Sequence, residues 1–213
     1  MLDLILGGFV EFRLIYKGKL KASTPDSRRT DNKHEIRKVI HKQLAQLYKE
    51  HQALRDRGAQ GTKTFLEQMA DTFGHNGFRF VPLVNESQAL VCSLDILFLR
   101  RESPGHILSS GGGDIDRRIV TFLDGLRVPK NRNELPSGAV PTADENPMFC
   151  LLQDDSLVTE LRVETDRLLT APDMNAVEDV EDAGHPQNDV MLIVHTRVRA
   201  TRLGVGNIDF LAI

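Results

Sequence analysis

Four aspartates could do chemistry. Asp114 and Asp116 stand in Gly111-Gly112-Gly113-Asp114-Ile115-Asp116-Arg117-Arg118, and Asp154 and Asp155 stand together in Gln153-Asp154-Asp155-Ser156. A hard divalent cation such as Mg²⁺ is held by one or two carboxylates, with water and phosphate oxygens completing its shell. Such ions stabilise the attacking and leaving oxygens of phosphoryl transfer. Three or four carboxylates in one place repel each other unless a cation joins them, so a cluster built from both pairs points to a metal. Each pair also has an ordinary use. Asp caps a helix and suits its first turn, where free N–H groups and the positive dipole end lie. Adjacent aspartates are poor strand formers and good turn residues.

The elements that must position these residues can be read along the chain. Val10, Phe12, Leu14 and Tyr16 alternate with charged residues, the period of a half-buried strand. Ile36, Ile40, Leu44, Leu47, His51 and Leu54 recur at helical spacing, predicting a helix over about 32–57 capped by Asp31 and stopped by Gly58. A short helix is expected near 64–73. Residues 78–84 and 89–99 read as a strand pair joined through Asn85-Glu86-Ser87, the second strand apolar on both faces and hence central. A helix over about 114–126 carries Ile115, Ile119, Phe122, Leu123 and Leu126 on one face. Strands are expected at 157–163 and 190–200. Strands and helices do not alternate regularly. The expected class is therefore α+β: a mixed β-sheet packed by the long N-terminal helix and by the second helix that starts at the Asp-x-Asp motif. One domain over 1–213 is expected, with loop insertions near 59–77, 129–149 and 170–189.

Composition narrows the function class. With 27% charged residues and no apolar run near the ~20 residues of a spanning helix, no membrane role is expected. The opening run lacks a basic start, so no signal peptide is read and a cytoplasmic location is expected. Two distant cysteines argue against a disulfide framework. P-loop, Rossmann glycine, HExxH and GxSxG motifs are absent, and no small-molecule cofactor is expected. The net charge of -3 hides an asymmetry. Residues 1–60 carry 13 Lys and Arg against 7 Asp and Glu, whereas 141–190 carry 2 against 13. The basic first quarter could meet a polyanion. Lys38, Lys42 and Lys49 on the long helix could track phosphates, or simply keep that helix soluble.

The order of elements resembles the RusA family of Holliday junction resolvases. The residues that carry the likeness are Asp114-Ile115-Asp116, Asp124-Gly125-Leu126, and Asp154-Asp155 with Val158 after them. The resemblance implies a RusA-like α+β fold, a homodimer, and Mg²⁺-dependent cutting of branched DNA, with Mn²⁺ as a possible replacement ion. It also implies that Asp114, Asp116 and Asp155 are the metal-binding catalytic carboxylates with Asp154 beside them, and that Asp124 is structural. Two positions depart from the family pattern. Arg117 stands where the family has Asn, and Val120 where it has a catalytic Lys. Arg117, Arg118 or Lys130 could supply the missing cation. Arg118 or Lys130 would then offset charge developing on the phosphate, and Arg117 and Arg118 would join the lysines in holding DNA. Two functions follow from the resemblance. One is a Mg²⁺-dependent, structure-specific endodeoxyribonuclease acting on branched DNA through a metal-activated water. The alternative is a lapsed relative that binds DNA or a partner protein without cleaving.

Overall fold

The computed structural model describes residues 10–22, 29–51, 54, 63–75, 77–101, 115–169 and 188–202. Asp114 and most of the acidic 170–189 insertion lie outside the described residues. In chain order the elements are β1 (Val10–Lys19), α1 (Thr30–Glu50), α2 (Phe65–Thr72), β2 (Phe80–Val84), β3 (Leu90–Arg100), α3 (Ile115–Leu126), β4 (Met148–Leu152), β5 (Val158–Arg167) and β6 (Asp189–Ala200). The chain is α+β, with a mixed sheet and three α-helices among the described residues.

The main sheet has the order β1-β6-β3-β5. β6 runs antiparallel to both β1 and β3, and β5 runs parallel to β3. β3 is therefore interior, as its two apolar faces require. One face is closed: Leu90, Cys92, Leu94, Ile96 and Phe98 of β3 are buried with Val190, Leu192, Val194 and Val198 of β6. Ile36, Ile40 and Leu44 of α1 and Ile119, Phe122 and Leu126 of α3 belong to the same core. Tyr16 of β1 meets Phe122 with ring centroids 5.9 Å apart. The helices cross closely at Gly125, where an added Cβ would sit 2.6 Å from Ile36 Cγ2.

Three expectations change. β2 does not pair with β3. It pairs in parallel with β4, a strand not expected from the sequence, which starts at the end of the 129–149 loop. All five β2 residues are buried, and a strand buried on both faces needs cover that one turn of hairpin would not give. Asn85 makes the turn: its Nδ2 donates to Gln88 Oε1 and its Oδ1 accepts from the Ser87 hydroxyl and the Gln88 N–H. Helix α1 ends at Glu50 rather than near 57, although Leu54 is buried. Arg29, with φ of 50°, rather than Asp31, stands at its N-cap and makes no side-chain cap bond.

α2 opens with a capping box, the Thr64 side chain and Glu67 satisfying each other's backbone N–H. At Ile15 the outer edge of β1 is met by a side chain of α1. Gln43 Oε1 accepts the Ile15 N–H at 2.9 Å, and its Nε2 donates to the Ile15 carbonyl at 2.8 Å. The amide thus stands in for a neighbouring strand. No helix among the described residues is long and apolar enough to cross a membrane.

Candidate functional site

Asp154 and Asp155 sit where β4 hands over to β5. Asp154 caps a 3-10 turn over Asp155–Leu157, its Oδ1 accepting the Ser156 N–H at 3.0 Å. Its other oxygen, Oδ2, lies 2.8 Å from Lys130 Nζ, and Asp155 Oδ1 lies 3.9 Å from the same ammonium. The structure therefore brings together three of the residues singled out by sequence: Lys130, Asp154 and Asp155. The Lys130 ammonium, and after it the Ser156 N–H, hold the Asp154 carboxyl well below the usual carboxylate range. In return Asp154 raises the Lys130 pKa.

Asp116 is elsewhere. It is exposed in the first turn of α3, its Oδ1 accepting the Arg117 N–H at 2.7 Å. Ten residues separate Asp116 from Leu126, about 15 Å of helix. Just past that far end Arg127 bridges to Leu152, and the Val128 N–H donates to the Leu152 carbonyl at 2.9 Å. The main sheet also sets the two apart. Arg118 reaches from the first turns of α3 to the Leu20 carbonyl, one residue past the end of β1. The acid pair instead leads into Val158, which sits opposite Cys92 near the start of β3. In register, those two levels are Asp189 and Val198 of β6, nine residues or about 30 Å of strand apart. The acid pair and Asp116 thus lie at opposite ends of α3, and the structure does not bring them together.

The other sequence-derived candidates fall at scattered places. Arg118 was expected at the DNA or at the phosphate. It is 3% exposed on the inner side of α3, and its Nη1 donates to the Leu20 carbonyl at 2.8 Å. It falls on the apolar face because its position continues the stripe of Ile115, Ile119 and Phe122. Arg117 is exposed beside Asp116. Val120, where the family lysine would stand, is 50% exposed on the outside of α3. Lys42 and Lys49 are exposed on α1, while Lys38 pairs with Glu35 at 3.1 Å.

A buried charge network, not foreseen from the sequence, fixes the end of α3 beside the acid pair. Asp124 is held by Lys33 of α1 at 2.7 Å and by Arg127 at 2.7 Å. Arg127 also grips Glu134 at 2.7 Å, and Glu134 accepts the Lys130 backbone N–H at 3.0 Å. Arg37, 1% exposed, donates to the Asp124 and Arg127 carbonyls. Burial opposes the Arg127 charge, but Glu134 and Asp124 more than offset it, so its pKa rises. The Asp124…Arg127 spacing was a visible signal of opposite charges meeting one turn apart. Asp124 is thereby tied to both α1 and the segment that follows α3.

Of the implied ligands, the described Asp116, Asp154 and Asp155 do not gather around one divalent ion within one chain. Mg²⁺ requires oxygen ligands at about 2.0–2.1 Å in near-octahedral order. Both Asp154 oxygens are already engaged, by Lys130 and by Ser156. Asp116 is held a helix length away. Among the described residues no three His, Cys, Asp or Glu side chains gather in a way that could hold a metal. Comparison of the chain with protein-family models, with curated proteins and with solved structures gave no match.

Proposed function

We propose that this chain is a RusA-like protein that grips branched DNA without cleaving it on its own. The observation that carries the reading is the placement of Asp116 and the Asp154–Asp155 pair at opposite ends of α3, with Lys130 already neutralising the pair. Val120 on the outer side of α3 adds to it, since an apolar side chain gives a scissile phosphate no charge. The gripping surface is the outer side of α1, where Lys42 and Lys49 are free to meet phosphates, with Lys38 beside them. Such contacts hold the backbone and read shape rather than sequence.

The test uses four-way and linear duplexes, with binding followed by fluorescence anisotropy at several salt concentrations. The junction is expected to bind more tightly, with affinity falling steeply as salt rises. Replacing Lys38, Lys42 and Lys49 by Ala should lower the salt slope by up to about 0.9 for each phosphate that is no longer neutralised. Mg²⁺ should produce no cut strand. Absence of salt-dependent binding would remove nucleic acid from the account altogether.

A second reading, the Mg²⁺-dependent endonuclease, is favoured by one observation. Asp116 at one end of α3 and Asp155 at the other are both exposed. In a two-fold dimer each contact is made twice, i with j and j with i. A second copy could therefore set each Asp116 against the partner's Asp155. Mixing Asp116→Asn and Asp155→Asn chains separates the cases. A site shared between copies regains one intact centre per mixed dimer and cuts DNA again, whereas a site within one chain stays dead.

A further inference from the structure

The acid pair at the start of β5 lies where the resemblance would put metal ligands, yet the structure gives it another partner. Lys130 Nζ stands 2.8 Å from Asp154 Oδ2 and 3.9 Å from Asp155 Oδ1, so one ammonium faces two adjacent carboxylates. The lysine is not there by chance of a long side chain. Its backbone N–H is fixed to Glu134 at 3.0 Å, and Glu134 is locked by Arg127, whose side chain is 6% exposed. The Val128 N–H bond to Leu152 ties the same segment to the strand that leads into the acid pair. Backbone and neighbours therefore aim Lys130 at Asp154.

We infer that Lys130 is a built-in counter-cation that takes the place of a divalent ion at the Asp154–Asp155 turn. Two adjacent carboxylates repel each other, and a cation relieves that repulsion whether it is an ion from solution or a side chain. An ammonium offers three N–H donors and no vacant ligand position. It offsets the negative charge of the turn and gives no Lewis acid. The inference concerns this chain's own residues and holds whether or not the protein binds DNA.

Mn²⁺ alone is the probe, and the free-ion signal in electron paramagnetic resonance is the readout, with no DNA or activity involved. Wild-type protein should leave the Mn²⁺ signal nearly unreduced at sub-millimolar metal. Lys130→Met, which keeps the length and loses the charge, should bind Mn²⁺ roughly tenfold more tightly, because the pair then faces no internal cation. Asp155→Asn added to Lys130→Met should cancel that gain, and Lys130→Arg should behave as wild type. Circular dichroism checks that each variant is folded. Should Lys130→Met fail to fold, Lys130→Gln takes its place. Wild-type binding as tight as that of the charge-removed variant, or no gain in a folded charge-removed variant, would overturn the inference.

Discussion

Arg127 reaches back one helical turn to Asp124, its Nε and Nη2 lying 3.0 and 2.7 Å from the same carboxylate oxygen. The pair closes the end of α3, and its second carboxylate, Glu134, carries the closure into the segment that bears Lys130. Removing one member of a buried ion network leaves the others buried and uncompensated, at a cost of about 3–5 kcal/mol. Arg127→Met should lower unfolding free energy by that order in a urea titration. Asp116→Asn, at the exposed start of the same helix, should leave it within about 0.5 kcal/mol of wild type.

The packing at Gly125 reverses a usual gain. Gly to Ala in a helix interior ordinarily adds up to about 1 kcal/mol. Here the new Cβ would lie 2.6 Å from Ile36 Cγ2 and 2.8 Å from Ile36 Cβ, so α1 and α3 must part. Gly125→Ala should cost about 1–3 kcal/mol. Adding Ile36→Ala removes both Cγ2 and Cδ1, leaving less to strike. A double-mutant cycle by thermal melting should therefore give a favourable coupling between the two sites.

Acid should loosen the face of α1 that carries His34. Its ring is 4% exposed, lies edge-on to Phe78, and has a buried Nδ1 with no hydrogen-bond partner. Burial first, then the charges of Arg37 and Lys38, bring its pKa from 6.5 to about 4, against a smaller opposing pull from Glu145 and Glu35. The unfolded chain takes up the proton on passing below 6.5 and the folded chain does not until about 4. Stability is thus full above 6.5 and falls across that window. Each pKa unit is about 1.4 kcal/mol, so the loss is on the order of 2–3 kcal/mol. Melting temperatures measured from pH 7 to pH 4.5 should fall in wild type and fall less in His34→Leu.

The amide of Gln43 occupies the outward backbone groups of Ile15 on the edge strand β1. Gln43→Ala removes both bonds to Ile15, each worth about 1 kcal/mol net, and exposes that part of the edge. Light scattering on stored samples should show more association than wild type, and a urea titration should show a loss of about 1–2 kcal/mol.

Much of the architecture was already written in local pattern. The alternation of Val10 to Tyr16 and of Val190 to Val198 made strands, and the 3.6-residue spacing of Ile36, Ile40 and Leu44 made α1, because periodicity is a property of neighbours in sequence. β4 escaped because its five apolar residues are too few to show a period, and the β2 partner escaped because pairing depends on what covers a strand. The chemistry-bearing residue types were legible for the same local reason. Their arrangement was not. Asp114, Asp116, Asp154 and Asp155 look like one set along the chain, and only the run of α3 decides that Asp116 and Asp155 stand at opposite ends of it. Nor could the sequence say that Arg118 turns inward while Lys130 turns toward Asp154. A side chain's direction is set by the face its helix buries and by the segment packed beside it, and both belong to the folded chain as a whole.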